Sequence, residues 1–447
     1  MRLRRLAATL VLCLAVSCAA AGTAAAGWSA PRVVDAAGGF RQGFSASGDL
    51  LFTGDFNALR VLRVSGGAFG APAPVFSAPA SEMIFEVGAD GADAATILTL
   101  RRHKPYPRVR IAMRSADGTL SAPRTISGRG HAATQPDLAV AADGTAIAGW
   151  GWHDSGVWRV QVAVRLPGQP AFGPAQNLSD PDAGSRPWVT VAAGDGGHAA
   201  VTWHDGGSYQ QPSEELRATT LGADGSFGPA VLLDSGAGFY ETALSVAADG
   251  RALAAWAPTY YLSRGDTEPG VLKAADAAPG ARFGTARTLS TGGPGFLDQG
   301  GPVADVAADG RAVVAWGKPV AARHTRGVVE VFARAAGGDF GPAQVLSDGT
   351  RSPSGLTLSS GGDGTVALGW ADAHFAAGYS GPNWESRVAV RRPSDPQFAA
   401  AVRVSDAAHN GLWPTVRVGR GGEVMAAWVF NDDGSGGGTI AAATLAR

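Results

Sequence analysis

Histidine, aspartate and tryptophan side chains occur together directly after short apolar runs in this sequence. His153 and Asp154 follow Trp152, and His204 is followed by Asp205. Imidazole and carboxylate groups on neighbouring segments could ligate a metal ion or transfer protons, although a His-Asp pair beside a strand end also serves as a solvated turn. The candidate ligand-binding residues are Trp152, His153, Asp154, His204, Asp205, Asp372, His374, Trp413, Asp432 and Asp433.

The segment 431–435, Asn-Asp-Asp-Gly-Ser, resembles part of an oxygen-rich calcium loop. It lacks the alternating acidic spacing and the following glutamate of such loops, and the glycines at 436–438 favour a flexible turn. The chain contains no GxSxG, HExxH or P-loop pattern. We therefore assign no catalytic residue, no metal ligand and no cofactor. The sequence leaves open whether the protein is an enzyme. If it is one, we expect a glycoside hydrolase or lyase.

The first 26 residues have the pattern of a secretory signal peptide. Three arginines precede an apolar stretch, and Ala24–Ala26 forms a small-residue cleavage site. We expect residues 1–26 to be removed on export and residues 27–447 to form one mature domain that is secreted. The alternative is a lipid anchor on Cys18, although Leu14 lies one place too early for the usual lipoprotein pattern.

Composition narrows the classes of partner. The chain has 37 basic and 38 acidic residues and a formal net charge of −1, which gives no basic footprint for nucleic acid. Both cysteines, Cys13 and Cys18, lie in the signal segment, so the mature chain has no thiol or disulfide chemistry. After residue 26 no apolar run is long enough to span a bilayer. We expect a monomer whose partner is a carbohydrate or an envelope protein.

One phrase recurs along the chain and predicts the elements that position these residues. An apolar run that follows a turn ends in tryptophan at intervals of about 50 to 60 residues, a period typical of repeat folds. The six tryptophans that end these runs are Trp150, Trp203, Trp256, Trp316, Trp370 and Trp428. Each run is apolar at both alternating positions, which indicates a strand covered on both faces, and we expect all six indoles in the core.

Each repeat reads as four short antiparallel strands, which is typical of a propeller blade. We predict an all-β chain that forms a single β-propeller of eight four-stranded blades. Seven blades are the alternative, because the first two units lack the tryptophan. Pro72, Pro123, Pro174, Pro229 and Pro342 fall in the predicted fourth strands, where an outer edge tolerates proline. The segment from Trp28 to Val34 reads as a lone fourth strand, and the chain ends on a third strand. We therefore expect the N-terminal strand to complete the C-terminal blade and close the ring.

The turn phrases, such as AADGRAVVAW ending at Trp316, resemble those of the WD40-like periplasmic propellers of the Tol system. The repeat is also similar to secreted propellers loosely described as sialidase-like. This resemblance covers the mature chain and implies architecture only, because the sequence has no Asp box and no assignable arginine triad.

The repeat also predicts where binding takes place. The loops after the second and fourth strands emerge on the same face, and here they are the long, polar ones. We expect an exported, non-enzymatic propeller that binds a glycan, cell-wall or protein partner through this face. The alternatives are an extracellular polysaccharide hydrolase or lyase, and a scaffold in an envelope complex. Convergence of the candidate carboxylates and histidines on one axial pocket would favour the enzyme.

Overall fold

The computed structural model describes residues 27–447 except 40, 103–105, 129, 181–185, 205–213, 238, 260–268, 295–299, 321–325, 375–382, 408 and 432–437. The described residues form eight four-stranded antiparallel blades, with a short extra strand at Ala68–Phe69 and a 3-10 turn at Asp195–Gly197. The strand arrangement confirms the predicted all-β propeller with eight blades rather than seven. Within this part of the chain no helix is long and apolar enough to cross a membrane. The predicted signal segment, residues 1–26 with Cys18, lies outside the described residues.

The strands of each blade follow one another along the chain, except in the last blade. Blade 1 consists of Arg41–Phe44, Leu50–Gly54, Ala58–Ser65 and Ala73–Ser77, and blade 2 of Glu82–Ala89, Ala95–Arg101, Arg108–Arg114 and Arg124–Thr125. Blade 3 consists of Ala132–Val140, Ala146–Asp154, Val157–Arg165 and Gln176–Asn177, and blade 4 of Trp188–Gly194, His198–His204, Glu214–Thr220 and Val231–Ala237. Blade 5 consists of Phe239–Val246, Ala252–Thr259, Pro269–Ala277 and Arg287–Pro294, and blade 6 of Val303–Val306, Ala312–Pro319, Gly327–Arg334 and Gln344–Val345. Blade 7 consists of Ser352–Ser360, Val366–His374, Asn383–Arg391 and Val402–Arg403, and blade 8 of Asn410–Val418, Val424–Asn431, Gly438–Leu445 and Arg32–Gly39.

The first strands of all eight blades lie next to one another around the axis. Each contacts the first strands of both neighbouring blades, and that of blade 8 contacts that of blade 1. The first strands are therefore innermost. Because a blade runs back and forth, the start of its first strand and the end of its second strand lie on the same face of the ring, which we call the upper face.

The N-terminal strand completes blade 8. Arg32 pairs with Ala442 and Val33 with Ala441, and Trp28 forms an isolated bridge with Leu445. This is the partner that the phase of the repeat predicts, although the strand runs on to Gly39, beyond the predicted end at Val34. The Asp35 carboxylate of this strand also contacts blade 1, where it accepts hydrogen bonds from Thr53 Oγ1 (2.6 Å) and Arg60 Nε (2.9 Å). The closing strand is thus bonded to both blades that it joins.

The core consists of apolar clusters between adjacent blades. The six repeat tryptophans are at most 2% exposed, which confirms the sequence prediction. Trp256, for example, packs against Leu216 and Ala218 of the preceding blade. At the seam between the last and first blades, Met425 and Ile440 pack against Leu51 of blade 1.

Indole N–H groups in this core donate to specific acceptors. Trp256 donates to Asp234 Oδ2 (2.8 Å) and Trp316 to Glu330 Oε2 (3.1 Å). In blades 1 and 2 the equivalent positions hold Thr53 and Thr99, whose hydroxyls donate to Asp35 and Glu82. A threonine–carboxylate bond therefore takes the place of the tryptophan in the two units where the sequence repeat was weakest.

The fourth strands differ from the prediction. They begin after the prolines instead of containing them, for example at Gln176 after Pro174 and at Gln344 after Pro342. Proline has no N–H to donate to the ladder, so pairing starts only beyond it. Four of the eight fourth strands are only two residues long.

Replacing Trp316 with alanine should lower the free energy of unfolding by about 3–5 kcal/mol, the usual cost of a large aromatic cavity. Trp316 is 2% exposed, whereas Trp188 is 42% exposed and provides a matched Trp→Ala control. Urea unfolding of both variants measures the difference. Equal losses in Trp316→Ala and Trp188→Ala would contradict the two-sided packing of the blades.

Candidate functional site

The Trp152-His153-Asp154 segment ends the second strand of blade 3 and stays on that blade. Trp152 is 6% exposed and packs in the core between blades 2 and 3, so its ring is not available for stacking on a ligand. The Asp154 carboxylate lies 2.9 Å from His131 Nδ1. The His153 ring lies 4.6 Å from the Trp158 ring. His153 and Asp154 belong to a local cluster of blade 3, and no residue of the segment lines the axial cavities.

Asp372 lies inside blade 7, where it is 4% exposed. Its carboxylate accepts a hydrogen bond from Trp370 Nε1 (2.9 Å) and pairs with Arg387 Nε (2.9 Å). Burial raises the pKa of this carboxyl to about 6, against the opposing effect of Arg387. Asp372 therefore serves as the hydrogen-bond acceptor of the buried Trp370 indole. His374, two residues further on, is exposed on the upper face.

Two other predicted residues do reach the axis. His204 is 3% exposed and stacks parallel to Trp188, with ring centroids 6.4 Å apart. Trp413 is 38% exposed at the start of the first strand of blade 8. Asp205, Asp432 and Asp433 lie outside the described residues. Of the seven predicted residues that the structure describes, only His204 and Trp413 line an axial cavity, so these seven do not converge on one site.

Two cavities open along the inner strands. One, of about 310 Å³, lies against blades 1, 2, 7 and 8 and is lined by Trp413, Gln42 and Glu86. The other, of about 320 Å³, lies against blades 4 to 7 and is lined by Trp188, His204 and Glu241. Both contain Gly355 and Leu356 in their walls, so the two cavities adjoin. We call them together the axial funnel.

An irregularity of the inner strands directs Trp413 toward the funnel. Pairing with the second strand shifts register between Leu412 and Thr415, and Trp413 itself has φ +45°. Blade 7 has the same bulge at Gly355, with φ +58°. A bulge re-aims a side chain, and a left-handed conformation is unfavourable for tryptophan. The Trp413 carbonyl accepts a hydrogen bond from Gln42 Nε2 of blade 1, which helps to hold this conformation.

The other half of the funnel depends on a glycine. A Cβ at Gly301 would lie 2.7 Å from Glu241 Oε2, so the absence of a side chain there leaves room for the glutamate. The neighbouring Thr190 and Thr242 hydroxyls are 2.9 Å apart and share a hydrogen bond. The wall beside Trp188 therefore combines an aromatic ring, a carboxylate and hydroxyl groups.

Sequence reasoning did not select Trp188, Glu86 or Glu241 as site residues. Trp188 is the first residue of its first strand, a place where an aromatic side chain can also simply cover the inner ring. The feature of the sequence that could have identified these three residues is their position within the repeat. Residues in the upper halves of first strands meet at the axis of a closed ring, whatever their spacing in sequence.

The site offers no metal centre among the described residues, since no three His, Cys, Asp or Glu side chains there lie close enough to hold an ion. Burial raises the carboxyl pKa of Asp137 and Asp372 to about 6 and also raises that of Asp305, but none of the three lines either cavity of the funnel. Asp137 and Asp305 lie on the first strands of blades 3 and 6, where they accept hydrogen bonds from the Val191 N–H and the Ser245 hydroxyl. The arrangement can stack an aromatic ring on a ligand and hydrogen-bond it.

Comparison with known proteins supports the fold. No protein-family model matches the chain, and no curated protein matches it. Among solved structures, it is similar to the BP39L lectin from Burkholderia pseudomallei, with 16% identity, a TM-score of 0.50, and coverage of 86% of this chain and 100% of the lectin.

Other solved structures resemble it more weakly. A PL25 ulvan lyase has 8% identity and a TM-score of 0.45 over 81% of this chain and 94% of the lyase. The leech intramolecular trans-sialidase has 9% identity and a TM-score of 0.40 over 95% of this chain and 92% of that enzyme. At these identities and TM-scores the likeness assigns no activity to this chain.

Asp372→Asn should remove a pH dependence of stability. The folded-state pKa of about 6 exceeds the ordinary value of 3.8, so the folded protein holds an extra proton between about pH 4 and 6. The resulting stabilisation is present below about pH 4 and is lost as the pH rises through 6, a change of about 2–3 kcal/mol. Urea unfolding at pH 4 to 7 should show wild type losing this amount relative to Asp372→Asn. Asp154→Asn is the exposed control, and parallel curves for wild type and Asp372→Asn would contradict the assignment.

Proposed function

We propose that the protein is an exported, non-enzymatic carbohydrate-binding propeller that holds a saccharide in the axial funnel. The observation that carries the proposal is the pair of exposed tryptophans, Trp188 and Trp413, which are 42% and 38% exposed and line the two adjoining cavities. Exposed indoles in a concave site provide flat apolar faces of the kind on which the C–H faces of sugar rings pack.

The polar groups of the funnel suit the hydroxyls of a sugar. Glu86 and Glu241 present carboxylate acceptors, and Thr190, Thr242 and Gln42 present groups that can both donate and accept. A small number of polar groups beside aromatic rings is the usual composition of a small-molecule site. The position of Trp413 in a strained bulge also favours a ligand-binding role, because such strain concentrates at functional sites.

Binding is favoured over hydrolysis because of where the carboxylates lie. Glycosidases place two carboxyl groups on either side of one scissile bond, and one of them has a raised pKa. Here Glu86 and Glu241 line different cavities. The carboxyl groups with raised pKa values, Asp137, Asp305 and Asp372, line neither cavity. Export is part of the proposal and rests on the signal-like segment 1–26, with lipidation of Cys18 as the alternative fate.

The test is saccharide binding by the mature protein and three alanine variants. A panel of neutral and acidic oligosaccharides and polysaccharides is screened, and the best binder is titrated by calorimetry. Trp188→Ala and Trp413→Ala should each weaken binding about tenfold or more, since central aromatic contacts typically contribute more than 1 kcal/mol. Tyr106→Ala is the control, because Tyr106 is 43% exposed but lies beside His131, away from the funnel.

Three outcomes would contradict the proposal. The panel could yield no binder, or both tryptophan variants could bind as wild type does. Product analysis of the bound saccharide could also show cleavage, which would identify an enzyme instead.

A further inference from the structure

A third cavity lies between blades 2 and 3 and shares no lining residue with the funnel. It has a volume of about 680 Å³ and is lined by Arg114, Arg124, Arg165, Met113 and Phe172, among others. Because loops between third and fourth strands form part of its wall, it opens on the face opposite the funnel. Its volume falls within the usual range for ligand sites. We call it the arginine groove.

The repeat provides an internal comparison for this groove. Between blades 5 and 6, Arg287, Arg334 and Phe340 occupy the positions that Arg124, Arg165 and Phe172 occupy between blades 2 and 3. There, the Asp276 carboxylate accepts hydrogen bonds from Arg334 Nη1 (2.8 Å) and Nη2 (2.6 Å) and also from Arg287 Nη2. Both guanidinium groups also lie over the Phe340 ring, at 4.9 and 5.1 Å.

At the position of Asp276, blade 2 has Met113. The register establishes the equivalence, because Asp276 pairs with Leu253 of the second strand as Met113 pairs with Thr96. Arg165 Nη1 donates to the Met113 sulfur at 3.5 Å, a weak acceptor, where Arg334 has a carboxylate. The other nitrogens of Arg165 donate to the Gly144 carbonyl, just as Arg334 Nε donates to the Gly310 carbonyl.

A second interface shows how the same space can be closed without a charge. Between blades 6 and 7, Gln344 stands where blade 2 has Arg124, and its side chain exchanges two hydrogen bonds with the Phe398 backbone. The backbone of Arg124 pairs with Ile111, but its side chain makes no hydrogen bond or ion pair with the described residues and is exposed. The interface between blades 2 and 3 therefore has neither the carboxylate nor the amide bridge.

The arginine groove carries a positive charge that is only partly compensated. Arg165 is 6% exposed, and burial lowers its pKa while the Asp90 carboxylate opposes that effect. Asp117 lies near Arg114 on the outer loop. An incompletely paired buried guanidinium is costly, and a ligand carboxylate between Arg165 and Arg124 would form charge-assisted hydrogen bonds like those of Asp276.

From this comparison, we propose that the arginine groove binds the carboxylate of a hexuronate-bearing saccharide, with Arg124 and Arg165 as its ligands. The remaining wall, with Ile111, Ile126 and Phe172, offers apolar surface for a sugar ring. Addition of a peptide strand to the edge of blade 2 is disfavoured. That edge strand has two residues, follows Pro123, and the Pro123 carbonyl already accepts from Arg110 Nη2 (2.8 Å). The groove is separate from the funnel, so this site does not rest on the proposed function.

Methionine-methyl NMR of the mature protein tests the site directly. The mature chain has three methionines, Met83, Met113 and Met425, and only Met113 lines the groove. Glucuronate should shift the Met113 resonance and leave those of Met83 and Met425 in place, whereas glucose should shift none. Added salt should weaken the binding. An absent Met113 shift, or an equal shift with glucose, would overturn the proposal.

Variants separate this site from the funnel and from charge effects in general. By calorimetry, Arg124→Gln should lose at least tenfold in glucuronate affinity, and Arg282→Gln, at an exposed arginine of blade 5, should not. Met113→Asp should abolish binding and raise the urea midpoint, because it places in blade 2 the carboxylate that blade 5 contains. Trp188→Ala and Trp413→Ala should leave this binding unchanged. Wild-type affinity in Met113→Asp, or tighter binding of a tri-aspartate peptide than of glucuronate, would overturn the assignment.

Discussion

Burial of both faces of the second strand in every blade is the constraint on which the rest of this structure depends. A strand with apolar side chains at successive positions, such as Ala252–Thr259, needs a neighbouring sheet on each side. Eight such strands satisfy one another only if the ring closes, since an open array would leave two apolar faces in water. The seam between blades 8 and 1, with Leu51 against Ile440, is therefore as necessary as any other interface. Closure also gathers eight first strands at the axis and so creates the funnel.

Polar groups inside this apolar ring determine how each blade fits the next. Indole or hydroxyl groups of one blade donate hydrogen bonds to carboxylates, some of which belong to the preceding blade. Trp256 donates to Asp234 of blade 4 in this way, and Thr53 donates to Asp35 of blade 8. Replacing such a group alters a local pocket without altering the blade. The arginine groove is one result, because Met113 occupies the position that Asp276 fills elsewhere. Repeats of this kind let one interface become a ligand site while the others remain packing surfaces.

The sequence predicted the blades well because their signals are local. Turn glycines and alternating apolar residues define each hairpin, and the tryptophans identify the buried strand. The site was predicted poorly because it depends on where distant strands meet. Asp372 looked like a surface ligand, yet its carboxylate lies beneath Trp370. Trp188 has no local sequence feature that separates it from a packing aromatic, yet it lines a cavity. Only the bulge at Trp413, which no local pattern marks, shows how that side chain reaches the axis.

Removal of the closing strand tests the central claim of ring closure most directly. The mature chain and a variant lacking residues 27–36 are compared by urea unfolding and by sedimentation, and a synthetic peptide of residues 27–39 is then added to the variant. We predict a lower midpoint and association through the exposed edge of Gly438–Leu445, with recovery of both properties when the peptide is added. A truncated protein that unfolds like the mature chain and stays monomeric would contradict closure by this strand.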